Sequence, residues 1–192
     1  PYRRQRQMCI RDRFGKSGIT TALLNLFENL DLQESNYFVA IDEEALSKDC
    51  KRLSILPKEA YFIPAGNTMH FSIGEALAYY LYFHWNKNGK WVKNKMNRLF
   101  QRECRRRFQG ATFNQVIQYT GYEVRHIKLY QQFSCPSAIW VHNDMLEEIK
   151  LRKNQHLLTL QEAYRSYDVV AIVTVDLYEA TRKIGGETAK IV

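Results

Sequence analysis

A histidine, an asparagine and an aspartate stand together at the end of a short apolar run. Residues 138–141 are typical of a buried parallel strand, and His142, Asn143 and Asp144 follow directly. Ligands bind at the carboxyl edge of parallel α/β sheets. An imidazole exchanges protons near neutral pH and hydrogen-bonds sugar hydroxyls or phosphates, so His142 is the predicted catalytic residue. Asn143 and Asp144 are predicted to bind substrate or, alternatively, to cap the helix that starts at Met145.

A second group of candidate residues follows another predicted strand, over residues 115–119. Gly121 permits a tight turn that brings backbone close to a ligand. Tyr119 and Tyr122 have rings suited to stacking on a sugar or a base, so all three residues are predicted to bind substrate. A turn flanked by core tyrosines explains the same residues equally well.

Glycines precede the first predicted helix. Gly15 and Gly18 would let backbone amides approach a phosphate at the positive end of the helix dipole. Together with Lys16 and Ser17, Gly15 also matches part of a P-loop, but that motif needs a glycine at position 10, where Ile10 stands. A glycine turn that serves only close helix packing is the structural alternative.

The helix predicted over residues 90–108 is strongly cationic. Eight lysines and arginines accompany a single acid, Glu103. Such a surface attracts anionic lipid headgroups, or it is the solvated face of an ordinary packed helix. Nucleic acid is not a predicted partner, because no recognised binding motif accompanies the charge. The predicted membrane-contact residues are Lys90, Lys93, Arg98, Arg102, Arg105 and Arg106.

Strands and helices alternate along the chain. Apolar runs predict strands over residues 37–41, 58–63, 115–119, 137–141 and 169–173. Helical periodicity predicts helices over residues 18–30, 72–85, 90–108, 123–133, 157–167 and 177–184. Continuously apolar strands joined by short loops favour an α/β fold, with a Rossmann-like, mostly parallel sheet and helices on both faces.

The two ends of the chain differ from the rest. Residues 1–13 contain five arginines and one aspartate, so they contribute +4 of the formal net charge of +8. They are similar to translated sequencing-adaptor read-through and are predicted to be a non-native prefix, so they are excluded from the predicted domain. The sheet is then expected either to lack its first strand or to take a poor one from this prefix. Residues 14–186 are predicted to form one domain, and residues 187–192 to begin a linker or strand towards a missing second domain. The chain is therefore expected to be cut at both ends.

Composition excludes several classes of protein. Without the prefix the chain is only mildly basic, which argues against a genome-binding protein. No run of about 18 apolar residues exists, so no transmembrane helix is expected. Cys9, Cys50, Cys104 and Cys135 lack a CxxC spacing and are predicted to be reduced thiols in a cytoplasmic protein. No metal site and no cofactor are predicted.

Four segments carry a resemblance to a known family. They are GITTALLNLFENLD, VIQYTGYE, SAIWVHNDM and YDVVAIVTVDLYEATRK. Together they resemble the amino-terminal domain of a GT-B-type family 4 glycosyltransferase, over residues 15–191. SAIWVHNDM, with the segment IKLRKNQHLLTLQEAYRSYDVVAIVT, is also similar to glycosyltransferase domains associated with CDP-glycerol glycerophosphotransferases of teichoic acid synthesis.

The resemblance implies one half of a GT-B fold and a role for three residues. Gly18 matches a glycine near the donor phosphates, His142 a histidine that faces the sugar transfer site, and Thr174 a small hydroxyl residue near the cleft. It implies a retaining glycosyltransferase that moves a sugar from a nucleotide-sugar to a cell-envelope polymer or lipid-linked acceptor. The enzyme would be cytoplasmic or peripheral at the inner membrane face.

Most donor contacts in this family come from the second domain, so the chain alone is expected to be inactive. Two alternatives of other classes stay open. One is a P-loop or other nucleotide-binding module, and the other is a noncatalytic membrane-docking domain.

Overall fold

Parallel strands form the centre of the fold. The computed structural model describes residues 5–10, 18–30, 35–42, 57–58, 60–66 and 68–192. Within these ranges the strands are β1 Gln5–Ile10, β2 Ser35–Asp42, β3 Tyr61–Ala65, β4 Gln115–Gln118, β5 Ser137–Val141 and β6 Val169–Ile172. They form one sheet in the order β3-β2-β1-β4-β5-β6, and every neighbouring pair is parallel. This is the strand order of a Rossmann fold, whose switch point lies between β1 and β4.

Helices connect the strands and cover the sheet. In the described ranges they are α1 Gly18–Asn29, α2 Ile73–Trp85, α3 Lys90–Phe108, α4 Val124–Tyr130, α5 Met145–Leu151, α6 Leu157–Ser166 and α7 Tyr178–Gly185. A 3-10 turn, Val175–Leu177, precedes α7. The start of α2 is fixed by a capping box, in which Ser72 and Glu75 each bond the other's backbone N–H.

Both faces of the sheet are covered, as the alternation along β2 shows. Val39 and Ile41 pack in one cluster with Phe27 of α1. Ala40 points the other way, into a cluster with Leu99 of α3. The predicted Rossmann-like α/β fold with helices on both faces is therefore confirmed.

Most elements lie within two residues of their predicted bounds, and two boundaries differ by more. The helix predicted over residues 123–133 ends at Tyr130, because the chain then forms tight turns. In the last of these turns Phe133 N donates a hydrogen bond to Tyr130 O at 3.3 Å. The strand predicted over residues 58–63 is β3, which includes Pro64. Proline is tolerated there because β3 lies at the edge of the sheet.

The amino-terminal segment requires a correction. Residues 1–13 are excluded from the predicted domain, yet Gln5–Ile10 forms β1 between β2 and β4, so the sheet takes its first strand from this segment. Met8 pairs with Phe38 on one side and with Val116 on the other. Neighbours on both sides supply its backbone hydrogen bonds, a non-local contribution that a side-chain pattern does not reveal. The non-native origin of residues 1–13 stays a prediction.

The carboxyl-terminal residues also pack onto this domain. They are predicted to lead out of it, but Val192 N donates to Val170 O at 3.0 Å, and Ile191 pairs with Val170 in parallel. Ala189 is buried in the cluster that holds Tyr164 of α6. Residues 190–192 therefore pair with β6 at the edge of the sheet.

Candidate functional site

A cleft opens at the carboxyl edge of the sheet, after β5. It has a volume of about 380 Å³. Its walls are residues 142–144, the α5 side chains of Glu147, Glu148 and Leu151, then Arg152, and Leu177 from the 3-10 turn. The structure thus brings the predicted His142, Asn143 and Asp144 together around one space. This is the edge at which Rossmann-like sheets bind ligands.

The His142 ring is held by the end of the neighbouring strand. Its Nε2 lies 2.7 Å from the backbone oxygen of Tyr119. A carbonyl oxygen can only accept, so Nε2 carries a hydrogen, and in the neutral ring the lone pair lies on Nδ1. The rings of Tyr119 and Trp140 flank the imidazole, with centroids at 5.1 and 5.9 Å from it. These contacts fix both the tautomer and the orientation of His142.

Asp144 caps α5. Its Oδ1 accepts hydrogen bonds from Leu146 N at 2.8 Å and from Glu147 N at 3.1 Å. The capping alternative is therefore confirmed for Asp144. Asn143 has no such role, and no hydrogen bond of its amide occurs within the described residues.

The turn after β4 is built for close packing of backbone. Gly121 has a φ of +57°, and a Cβ placed on it would lie 1.9 Å from the backbone oxygen of Trp140. The close approach predicted for Gly121 is thus to β5 itself. The Tyr119 ring is 1% exposed, so it is a core side chain and offers no stacking surface to a ligand.

Tyr122 stabilises the connection between α5 and α6. Its hydroxyl donates to Glu148 Oε2 at 2.5 Å and accepts from Asn154 Nδ2 at 2.7 Å. Its backbone oxygen accepts from Gln155 Nε2 at 2.9 Å. The Tyr122 hydroxyl therefore orients Glu148, which lines the cleft.

The cleft is acidic. Asp144, Glu147 and Glu148 line it, and among the described residues the one arginine or lysine beside them is Arg152, whose Nη1 lies 3.4 Å from Glu148 Oε1. The side chain of Glu147 is exposed and makes no hydrogen bond or ion pair with any residue that the structure describes. Carboxylates accept hydrogen bonds from hydroxyl groups, whereas they repel phosphates, so the cleft suits a hydroxyl-rich ligand without phosphate.

Sequence reasoning missed three charged residues of the cleft. Glu147, Glu148 and Arg152 were not predicted as site residues, although the helix start at Met145 was recognised. A signal was present, since positions three and four residues after Asp144 face the same side as the cap.

Of the other residues predicted to bind substrate, Gly18 and Thr174 do not line the cleft. Gly15 falls outside the described residues. Gly18 begins α1, and a Cβ there would meet no atom within 4 Å, so close helix packing does not require this glycine. Thr174 is exposed and lies at the end of β6, where its oxygen accepts from Leu177 N at 3.2 Å. Ile10 is a residue of β1, in register with Gln118, at the position where a P-loop would need glycine.

The predicted membrane-contact cations divide into two groups. Three form ion pairs: Arg102 Nη1 lies 2.6 Å from Glu75 Oε1, Arg106 Nη2 lies 2.7 Å from Glu103 Oε2, and Lys93 Nζ lies 4.0 Å from Glu162 Oε1. The Arg102 hydrogen bond lowers the pKa of Glu75 to about 2. Lys90, Arg98 and Arg105 are exposed and make no ion pair with any described residue.

No group of three or more His, Cys, Asp or Glu side chains in the described ranges could hold a metal ion. No helix there is long and apolar enough to cross a bilayer.

No protein-family model matches the sequence, and no curated protein is significantly similar to it.

Proposed function

We propose that this chain is the acceptor-side domain of a glycosyltransferase, which moves a sugar from a nucleotide-sugar to a hydroxyl group of a cell-envelope polymer or lipid-linked acceptor. The observation that carries the proposal is the acidic cleft beside His142. Its chemistry favours an uncharged, hydroxyl-rich part of an acceptor over the diphosphate of a donor. The class of acceptor rests on the resemblance of the segment around residues 137–145 to glycosyltransferases of teichoic acid synthesis.

Each polar residue of the cleft has a role in this proposal. Since Nε2 of His142 donates to Tyr119 O, Nδ1 is the nitrogen that accepts a hydrogen bond or a proton from the acceptor hydroxyl. Asn143 and Glu147 bind neighbouring hydroxyls. The donor phosphates lie outside this acidic cleft and are bound mainly by a second domain.

Titration of the isotope-labelled chain by NMR tests the proposal. We expect methyl glucoside, used as the probe, to change the chemical shifts of residues 142–152, whereas UDP-glucose leaves these chemical shifts unchanged. Asn143→Ala and Glu147→Gln each weaken binding about fivefold, the value of one hydrogen bond of about 1 kcal/mol. Asn97→Ala and Glu179→Gln are matched controls at exposed positions elsewhere.

Three outcomes would contradict the proposal. The first is that methyl glucoside changes the chemical shifts of residues outside 142–152. The second is that the site variants and their controls weaken methyl glucoside binding equally. The third is that UDP-glucose binds the cleft more tightly than methyl glucoside does. Sugar transfer by the chain alone would contradict the assignment of donor binding to a second domain.

A nucleotide-binding module is the second candidate, and the strand order favours it. The carboxyl end of β1, at Ile10, lies at the switch point, where Rossmann folds bind nucleotides. ATP binding that is lost in Lys16→Ala would support this function. An absence of ATP binding, or binding that survives the substitution, would contradict it.

A further inference from the structure

One side of α2 is apolar and faces solvent. Ile73, Leu77 and Tyr80 are spaced so that they form one stripe, and they are 93%, 53% and 48% exposed. The opposite side of the helix buries Ala78 and Tyr82 in the core. A helix that is apolar on its solvent side as well as its core side has a surface that water does not stabilise.

Exposed aromatic side chains stand at both ends of α2 and at the start of α3. Phe71 precedes α2 and is 42% exposed, while Trp85 ends it and is 59% exposed. Trp91, at the start of α3, is 46% exposed. Glu75 is the only acid of α2, and it is buried and paired with Arg102. The exposed side of α2 therefore carries no negative charge.

A row of cations on α3 lies beside the apolar stripe. The two helices are in contact there, since Lys95 Nζ lies 3.4 Å from the Cβ position of Gly74. Trp91, Arg98 and Arg105 follow one another at intervals of seven residues, and so they share the side of α3 that Lys95 and Arg102 occupy. Within the described part of the chain, Arg98 and Arg105 have no acidic partner.

The combination of an uncharged apolar stripe and unpaired cations favours one kind of partner. Tryptophan and tyrosine are enriched at the level of lipid headgroups, and lysine and arginine bind anionic headgroups. A nucleic acid would bind the cations and leave the apolar stripe in water. A second copy of this chain would bring its own cations against Arg98 and Arg105, which is unfavourable.

We propose that α2 and α3 together form a membrane-docking surface, with the stripe of Ile73, Leu77 and Tyr80 inserted among the lipids of an anionic bilayer and with Arg98 and Arg105 bound to its headgroups. The helices lie in the plane of the interface. Docking does not depend on the proposed acceptor cleft, which is at a different part of the fold.

Co-sedimentation of the full chain with vesicles tests this surface without any sugar ligand. We expect binding to phosphatidylcholine vesicles that contain phosphatidylglycerol, and much weaker binding to phosphatidylcholine alone. Arg98→Gln combined with Arg105→Gln reduces partitioning on the order of 20-fold, since each basic residue near an anionic surface contributes about fivefold. Lys150→Gln combined with Lys183→Gln removes the same charge from other exposed positions and has little effect.

The apolar half of the proposal has its own variant and its own signal. Ile73→Ser combined with Leu77→Ser reduces partitioning at least tenfold and leaves the net charge unchanged. Binding shifts tryptophan emission to the blue, and the shift is lost in the double variant Trp85→Phe, Trp91→Phe, which retains Trp140. Circular dichroism confirms that these surface variants fold.

The proposal is overturned if the chain binds neither vesicle, or if the serine variants bind as well as the original chain. It is overturned as well if the control pair lowers partitioning as strongly as the arginine pair, because net charge alone would then explain binding. Dimerisation that Leu77→Ser abolishes would reassign the stripe to a protein interface. Because no step uses the cleft, failure here leaves the proposed transferase role untouched.

Discussion

Replacing Gly121 with alanine separates two costs that the structure predicts at one position. The first cost is conformational, because a side chain at a φ of +57° adopts the left-handed region at about 1 kcal/mol. The second is steric, because the new Cβ lies 1.9 Å from Trp140 O, far inside any normal contact distance. Neither backbone segment can yield as a flexible side chain would, so the strain adds about 1–3 kcal/mol. We expect Gly121→Ala to lower the free energy of unfolding by about 2–4 kcal/mol.

Gly110 provides a matched control for this substitution. Its φ is +71°, yet a Cβ there would meet nothing within 4 Å. Gly110→Ala therefore carries the conformational cost alone, about 1 kcal/mol. Urea unfolding, monitored by circular dichroism, measures the free energy of unfolding of both variants. The two values can be compared if this free energy depends equally on urea concentration in both.

The difference between the two variants tests the steric argument. If Gly121→Ala and Gly110→Ala destabilise the protein equally, the contact with Trp140 O has no energetic consequence and the reasoning is refuted. If the chain relieves the clash by moving the end of β5, His142 moves with it. We therefore also expect Gly121→Ala to weaken binding of methyl glucoside at the cleft, which Gly110→Ala leaves unchanged.

Two further predictions follow from ionisable groups outside the cleft. Arg102 lowers the pKa of Glu75 from 4.5 to about 2, so its stabilisation is present above pH 4.5 and is lost as the pH falls towards 2. Glu75→Gln keeps the capping box and, because Arg102 is half exposed, should lower the free energy of unfolding by only about 1 kcal/mol at neutral pH. Urea unfolding measured at several pH values should show that this loss vanishes in acid. A loss that does not depend on pH would contradict the ion-pair explanation. Burial raises the pKa of Cys104 to about 12, whereas Cys135 is only partly buried. Iodoacetamide should therefore label Cys135 in the native protein and Cys104 only after unfolding. Equal labelling of the two cysteines in the native protein, measured by peptide mapping, would contradict this.

The elements that sequence alone predicts well are those whose stability is local. The apolar stripe of α3 repeats at helical spacing through Met96 and Leu99, and both residues are buried. The continuous apolar run of β5 likewise predicts a strand between two neighbours, and Ser137–Val141 pairs with β4 and β6. Periodicity and a short apolar run are sufficient in these cases, because burial on the core side determines the element.

Features that depend on distant residues could not be predicted in the same way. β1 has no apolar alternation and is defined by pairing with β2 and β4. The pairing of Arg102 with Glu75 joins α3 to α2 across 27 positions, so a count of charges along α3 overestimated its unpaired cations. The apolar stripe of α2 was missed because an apolar helix in a sequence is ordinarily interpreted as buried.

The same non-local contacts determine how well the site is preorganised. Tyr119 was predicted to contact a ligand through its ring, but its contribution to the site is its backbone oxygen, which holds Nε2 of His142 at 2.7 Å. Gly121, two residues later, brings this turn against Trp140 O. The imidazole is thus positioned by backbone atoms of two adjacent strands, and their sheet pairing keeps these atoms in place. A substitution in the Gly121 turn should therefore alter the orientation of His142 although the substituted residue does not contact the ligand. Weaker ligand binding in a variant thus does not by itself show that the substituted residue contacts the ligand.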